Sequence, residues 1–179
     1  MASAERISGK IGGSIIDEKT LRLLILEDKR DDAELAIKHL EREGFDIEHS
    51  IVDTENSFRE ALKTDPDLIL ADYSLPGFSC IDALLIHQDV SPDIPLILFS
   101  GTIGEEKAVE CIKLGAVDYV LKDNLVRLGS AVKRALDEAE LRKEKKHTEM
   151  KLRKSEAQKQ ALLDGSPDMI ILLDTDLKV

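Results

Sequence analysis

The feature that most constrains the fold of this chain is a change of hydrophobic period that recurs five times. Short blocks of consecutive apolar residues, typical of buried strands, alternate with stretches in which apolar residues recur at helical spacing. We predict strands at residues 21–26, 46–52, 68–71, 95–99 and 118–121. Five successive strand–helix units predict an α/β fold of three layers, in which helices cover both faces of a parallel sheet.

Chemically active side chains stand at the ends of four of these strands. Glu27 and Asp28 follow the first strand, Asp72 the third, Ser100 the fourth and Lys122 the fifth. The carboxyl ends of parallel strands lie along one edge of the sheet, where such folds bind ligands. Carboxylates that close repel one another unless a cation lies among them. The pattern therefore predicts an oxygen-ligand site for a hard divalent ion, beside which Asp72 keeps one oxygen for nucleophilic attack.

Beyond the fifth strand the helical pattern continues past the end of an ordinary domain. No Gly or Pro occurs between Ser130 and Asp164, and the sequence becomes highly charged. We predict one long helix, which usually needs a partner helix when it is this polar. The predicted organisation is a flexible N-terminal lead at 1–20, a globular domain at 21–137, a coiled-coil linker at 138–163 and the truncated start of a further domain at 164–179.

Composition argues against several classes of function. The formal net charge of -11 argues against a nucleic-acid-binding protein. No apolar run has the length of a membrane span, and the first residues lack the apolar segment of a signal peptide, so we expect a cytoplasmic protein without a membrane partner. The separation of Cys80 and Cys111 fits neither a zinc pair nor a disulfide framework, and we expect two buried thiols.

These residues resemble a response-regulator receiver domain, the phosphorylatable module of two-component signalling, over about residues 21–137. The resemblance implies a flavodoxin-like, doubly wound sheet with strand order 2-1-3-4-5. It also implies that Asp72 is the phosphoacceptor. Magnesium would be held by Glu27, Asp28 and Asp72, with the backbone carbonyl of Ser74 as a further ligand.

The same resemblance implies a role for three residues of the later strands. Lys122 would stabilise the transferred phosphoryl group, and Ser100 would donate its hydroxyl to that group. Ser100 and Tyr119 would form the switch that turns phosphorylation into a new surface beside the fourth helix. The phosphodonor would be a histidine kinase or a phosphotransfer protein. The chain itself would not be an enzyme beyond catalysing its own phosphorylation.

The C-terminal part carries a second, shorter resemblance. Residues 163–173 resemble the opening of a PAS sensory domain, and the charged helix before them resembles the signalling helices that precede such domains. This implies that the parent protein is a hybrid sensor, such as a hybrid histidine kinase. We expect the chain to form a homodimer through its C-terminal helix.

Two other functions compete with phosphoryl acceptance. A flavodoxin-like cofactor carrier needs a phosphate loop rich in Gly, Ser and Thr after the first strand, whereas residues 27–32 here are mostly acidic. A receiver-like scaffold that is never phosphorylated would not need the acidic, hydroxyl and lysine positions together. His147 lies on the long helix, as kinase phosphoacceptor histidines do, but the residues after it favour a solvated coil position.

Overall fold

The computed structural model describes residues 20–101 and 104–164. It contains a five-stranded parallel sheet of order β2-β1-β3-β4-β5, which confirms the expected receiver topology. The strands are β1 (Leu21–Leu26), β2 (Ile47–Val52), β3 (Leu68–Ala71), β4 (Leu96–Ser100) and β5 (Asp118–Leu121). The helices are α1 (Arg30–Arg42), α2 (Glu55–Leu62), α3 (Cys80–Val90), α4 (Glu105–Lys113) and α5 (Leu128–Asp164), with a short 3-10 turn at Leu125–Arg127 before α5.

The strand bounds differ from the prediction by one residue in β2 and β4. Pro95 was expected to begin β4, but it has no N–H to donate and precedes the strand, where its carbonyl accepts a hydrogen bond from Ile69 N at 2.9 Å. Ser100 was expected to follow β4 and instead ends it. Its carbonyl accepts a hydrogen bond from Lys122 N at 3.0 Å, so the pairing of β4 with β5 extends to the edge of the sheet.

Two layers of apolar side chains enclose the sheet. Leu23 and Ile25 of β1 point into a cluster covered by α1 and α5. Leu24 and Leu26 point to the opposite face, into a cluster covered by α2, α3 and α4. Because β1, β3 and β4 are buried on both faces, their sequences are almost uninterrupted apolar blocks. The three-layer architecture predicted from the sequence is confirmed.

Local chemistry sets the ends of several helices. The glycines that follow α1 and α4, Gly44 and Gly115, have φ angles of 93° and 102°, a region that strongly favours glycine. Before α3, the Ser79 hydroxyl accepts a hydrogen bond from Asp82 N at 3.1 Å, as expected for an N-cap residue. The two glycines end α1 and α4 close to the point at which the chain returns to the sheet, and the Ser79 cap fixes the start of α3.

The two cysteines are buried, as predicted. Cys80 in α3 is 1% exposed and Cys111 in α4 is 0% exposed. Burial raises the pKa of both thiols, which keeps them protonated at neutral pH. They therefore contribute to the packing of α3 and α4 on the sheet.

Helix α5 is one continuous helix of 37 residues, as the absence of Gly and Pro predicted. Its first turns bury Val132 and Ala135 against the sheet, whereas the side chains of residues 141–161 are exposed. Lys146 forms an ion pair with Asp93, in the turn before β4, so the extension leaves past the amino ends of the strands. No helix among residues 20–101 and 104–164 is both long enough and apolar enough to cross a membrane. The predicted N-terminal lead, apart from Thr20, and the predicted C-terminal start, from residue 165 onward, lie outside the described residues.

The core assignment can be tested with two leucines of α1. Leu40 is fully buried, whereas Leu35 is 46% exposed. We expect Leu40→Ala to lower the free energy of unfolding by about 2–5 kcal/mol, since it leaves a cavity. Leu35→Ala should lower it by no more than about 1 kcal/mol, because half of that side chain is already in water. Urea unfolding measures both values, and equal losses would contradict the assigned packing of α1.

Candidate functional site

Three predicted carboxylates meet at the carboxyl edge of the sheet. The nearest carboxylate oxygens of Glu27, Asp28 and Asp72 all lie within 4.8 Å of one another. Pairing of β1 with β3 brings Leu26 beside Ala71, so Glu27 and Asp72 leave neighbouring strands side by side. Glu27 is 2% exposed and Asp72 6% exposed, whereas Asp28 is open to solvent. Two of the three negative charges are thus held largely out of water.

The Lys122 amine is the cation that faces this cluster. Its Nζ lies 2.5 Å from Glu27 Oε2, 2.8 Å from Asp32 Oδ2 and 3.2 Å from Asp72 Oδ2. The lysine side chain is only 11% exposed, and its Nζ also lies 5.7 Å from the centre of the Phe99 ring. The amine donates hydrogen bonds to Glu27 and Asp32 and forms an ion pair with Asp72.

Sequence reasoning missed Asp32. This residue lies in the first turn of α1, where an acidic side chain is ordinarily explained by the helix dipole. The available signal was its distance from β1: α1 begins four residues after that strand ends, so its first turn must lie beside the carboxyl edge of the sheet. That reasoning places Asp32 near the site but does not identify Lys122 as its partner.

The protonation behaviour of the site reflects its excess of negative charge. Burial raises the pKa of Glu27, and the hydrogen bond from Lys122 only partly opposes this effect. Burial alone would lower the pKa of Lys122, but its hydrogen bonds with Asp32 and Glu27 and the charge of Asp72 raise it overall. Both shifts favour the form that carries the proton, mainly through burial for Glu27 and through the surrounding carboxylates for Lys122. The site as a whole favours additional positive charge.

One oxygen of Asp72 supports the same conclusion. Asp72 Oδ1 is buried and has no hydrogen-bond partner among the described residues, while Oδ2 faces Lys122. Leaving a buried carboxylate oxygen unpaired is costly, and such an atom often marks the place of an ion or ligand. Glu27, Asp28 and Asp72 offer the oxygen ligands that a hard divalent cation prefers. The residues present therefore fit a Mg²⁺ ion.

The remaining predicted site residues surround this centre. Ser100 is 2% exposed at the end of β4 and is joined to Lys122 through the backbone hydrogen bond described above. Tyr119 is half-buried in β5 and packs against the core cluster under α3 and α4. Ser74 is exposed in the loop between β3 and α3, two residues beyond Asp72. Thus Lys122 contacts Glu27 and Asp72 directly, Asp28 lies within 4.8 Å of both carboxylates, and the other three residues lie on the strands and loop beside them.

Repulsion within the carboxylate cluster can be measured directly. We expect Asp28→Asn to raise the free energy of unfolding by about 1 kcal/mol in EDTA, because it removes one of three close negative charges. In excess Mg²⁺ this gain should shrink or reverse, since the wild-type protein then gains stability from the ion. Chemical unfolding in the two buffers provides the comparison.

Asp53 provides the control for that experiment. It follows β2 at the same edge of the sheet, is exposed and lies outside the three-carboxylate cluster. Asp53→Asn should have a small effect that is similar in both buffers. If Asp28→Asn gave the same gain with and without Mg²⁺, Asp28 would not be an ion ligand.

Comparison with known proteins agrees with this geometry. The family model of the response regulator receiver domain matches residues 23–133. The regulatory protein LuxO of Vibrio cholerae is 31% identical over 104 residues, which cover 51% of this chain and 23% of LuxO. The chain spans less than half the length of the first curated relatives that it matches.

Solved structures share the fold. The signal receiver domain of a putative Luxo repressor protein from Vibrio parahaemolyticus is 29% identical, with a TM-score of 0.60 over 70% of this chain and 96% of that chain. The Mn²⁺-bound form of the response regulator Rcp1 is 21% identical, with a TM-score of 0.53 over 62% of this chain and 90% of that chain. With its sheet order, acidic edge and matched family model, the chain belongs to the response regulator receiver domains of two-component signalling.

Proposed function

We propose that this receiver domain accepts a phosphoryl group on Asp72, with Mg²⁺ held by Glu27, Asp28 and Asp72. The observation that carries the proposal is the environment of Asp72. Its carboxylate is buried, one oxygen faces a lysine amine, and the other has no partner among the described residues. A carboxylate held in this way is available both to an ion and to an electrophile.

The chain's own residues supply most of the chemistry. An oxygen of Asp72 attacks the phosphorus atom of the donor, and the bond to the leaving group breaks with its electron pair going to that group. The product is an acyl phosphate on Asp72. Lys122 Nζ, 3.2 Å from the nucleophilic carboxylate, is placed to stabilise the negative oxygens of the group in transfer. The Ser100 hydroxyl would donate a further hydrogen bond.

Magnesium would add positive charge where the phosphoryl oxygens approach. Its protein ligands would be Glu27, Asp28 and Asp72, with the carbonyl of Ser74 completing the protein part of the site. The excess of carboxylates over amines among these residues supports this role. The manganese-bound relative provides independent support, since it has the same fold.

The structural change caused by phosphorylation would pass from the site along β4 and β5. Phosphorylation adds about two negative charges, and nearby polar groups must reorganise around them. If the Ser100 side chain turns toward the phosphoryl group, it vacates space that Tyr119 can occupy, which changes the surface beside α4. Because α5 begins six residues after Lys122, the same movement would also reach the start of the long helix.

The phosphodonor would be a histidine kinase or a phosphotransfer protein, since receiver domains accept phosphate from histidine kinases. His147 is exposed on α5 and is the alternative phosphorylated residue. The second alternative is a receiver-like scaffold that takes no phosphate. Each alternative predicts a different result in the experiment below.

We expect acetyl phosphate with Mg²⁺ to add one phosphate to the wild-type chain, labile in hydroxylamine as acyl phosphates are. Asp72→Asn should abolish the addition, because a carboxamide is a poor nucleophile. Intact-mass spectrometry measures the occupancy, and peptide mapping locates the site. Phosphate retained on Asp72→Asn, or mapped to His147, would overturn the proposal. A wild-type chain that binds Mg²⁺ but takes no phosphate would favour the scaffold.

Three further variants separate bond formation from its consequences. Lys122→Ala should slow phosphorylation, since the nucleophile remains while a stabilising charge is lost. Ser100→Ala and Tyr119→Ala should still be phosphorylated. In these two variants, hydrogen exchange of α4 should respond less to phosphorylation than in the wild type, because both residues belong to the readout.

We further propose that the chain dimerises in parallel through α5, which would act as a coiled-coil linker. Beyond the globular domain, Leu141 is 65% exposed and Leu152 is 59% exposed. These leucines are eleven residues apart, about three helical turns, and so lie on the same side of α5. A charged helix of this length gains most of its stability from packing, which a partner helix would provide. In this proposal α5 leads to a PAS-like sensory domain that begins in residues 164–179.

The two leucines make the dimer testable. We expect the double variant Leu141→Glu with Leu152→Glu to be a monomer, because it places charges in the proposed seam. Met150 is 67% exposed and lies on the opposite side of α5, so Met150→Glu should remain a dimer. Light scattering gives the mass of each variant. A monomeric wild type, or equal dissociation by the Met150 variant, would contradict the arrangement.

A further inference from the structure

Asp32 contacts the amine that the phosphoryl group needs. Its Oδ2 atom lies 2.8 Å from Lys122 Nζ, which is closer than the 3.2 Å between that amine and Asp72 Oδ2. Asp32 belongs to the first turn of α1 and its side chain is 32% exposed, so it approaches the amine from the solvent side of the site. The Lys122 amine therefore lies between Asp72, the proposed acceptor, and Asp32 in the first turn of α1.

The hydrogen bonds of the Lys122 amine explain why this contact matters. Two of its three N–H groups donate to Glu27 and Asp32, while the contact with Asp72 is an ion pair at 3.2 Å. The phosphoryl oxygens on Asp72 can therefore receive more than one N–H of this amine only if Glu27 or Asp32 gives up its hydrogen bond. Glu27 is 2% exposed and 2.5 Å from the amine, so breaking that contact would leave a buried charge unpaired. Asp32 can turn to water, which makes its hydrogen bond the easier of the two to exchange.

We propose that Asp32 is a positioning residue that holds Lys122 in the unphosphorylated domain and thereby slows phosphoryl transfer to Asp72. The proposal rests on the function proposed above. Two effects act in the same direction. Asp32 competes with the incoming phosphoryl oxygens for a donor of Lys122, and it draws the amine away from the acceptor carboxylate. When the hydrogen bond to Asp32 breaks, the hydrogen bond to Glu27 keeps the Lys122 amine at the site.

The test compares neighbouring aspartates in the full chain. Asp31 and Asp32 share the first turn of α1, but Asp31 is exposed. Asp32→Asn keeps the side-chain size and removes the charge that holds the amine. We expect its initial rate of phosphorylation by acetyl phosphate and Mg²⁺ to rise about two- to fivefold, the range for loss of a partly exposed ion pair. Asp31→Asn, which removes an equal charge one residue away, should change the rate by less than about twofold.

A double-mutant cycle shows whether the effect passes through the lysine. In the Lys122→Ala background, Asp32→Asn should give no acceleration, because the amine that it releases is gone. Asp32→Glu, which restores the charge, should return the rate toward the wild-type value. If Asp32 only stabilised the fold of the site, Asp32→Asn would lower the rate of phosphorylation, because a distorted site accepts phosphate more slowly.

Several results would overturn the proposal. These are an unchanged or slower rate for Asp32→Asn, an equal acceleration by Asp31→Asn, or an acceleration that persists in the Lys122→Ala background. Failure of the wild type to take phosphate would instead defeat the proposed function. In that case the contact between Asp32 and the Lys122 amine can still be measured by ¹⁵N NMR of the Lys122 amino group. Its proton exchange should be faster in Asp32→Asn than in Asp31→Asn, and equal exchange in the two variants would overturn the role of Asp32.

Discussion

Repulsion between buried carboxylates is the constraint on which the rest of this structure depends. Pairing of β1 with β3 forces Glu27 and Asp72 together at the edge of the sheet, where little water can screen their charges. Lys122, carried by the connection after β5, offsets part of this charge and links three strand ends and the first turn of α1 through one amine. The carboxylates still outnumber the amine, so a further cation bound at the site would stabilise it.

The same contacts tie the chemistry to the fold. β4 lies between β3 and β5, and the Ser100 carbonyl accepts a hydrogen bond from Lys122 N. A displacement of Lys122 toward a phosphoryl group would therefore pull on the end of β4 through the backbone. The turn at Leu125–Arg127 connects this point to α5 within a few residues. In the proposed function, phosphorylation would thus reach the long helix without repacking the two layers of the core.

The pattern of buried strands and strand-end residues was predictable from the sequence because both follow from chain order. Sheet order came from the family resemblance, since hydrophobic period does not encode which strands are neighbours. The pairing of Asp32 with Lys122 was missed because the residues are 90 positions apart and meet only after α1 has docked. His87 lies on α3 and is only 3% exposed, with its Nε2 2.6 Å from the Ile94 carbonyl oxygen, and burial lowers its pKa. Such contacts depend on helix rotation, which local sequence does not determine.

The stability of α5 is unevenly distributed, and this bears on how a signal could travel along it. Its first turns are held by the core, whereas the side chains of residues 141–161 are exposed and form surface contacts, such as the ion pairs of Lys145 with Glu149 and of Lys146 with Asp93. Exposed pairs of this kind contribute little, so in the proposed dimer the extension would gain most of its order from the second helix. The state of the extension would then depend on how the globular domain presents the start of α5 to that helix. A small shift near Lys122 would change the pairing angle of the helices more readily than the packing of the sheet, because the pairing is the weaker of the two.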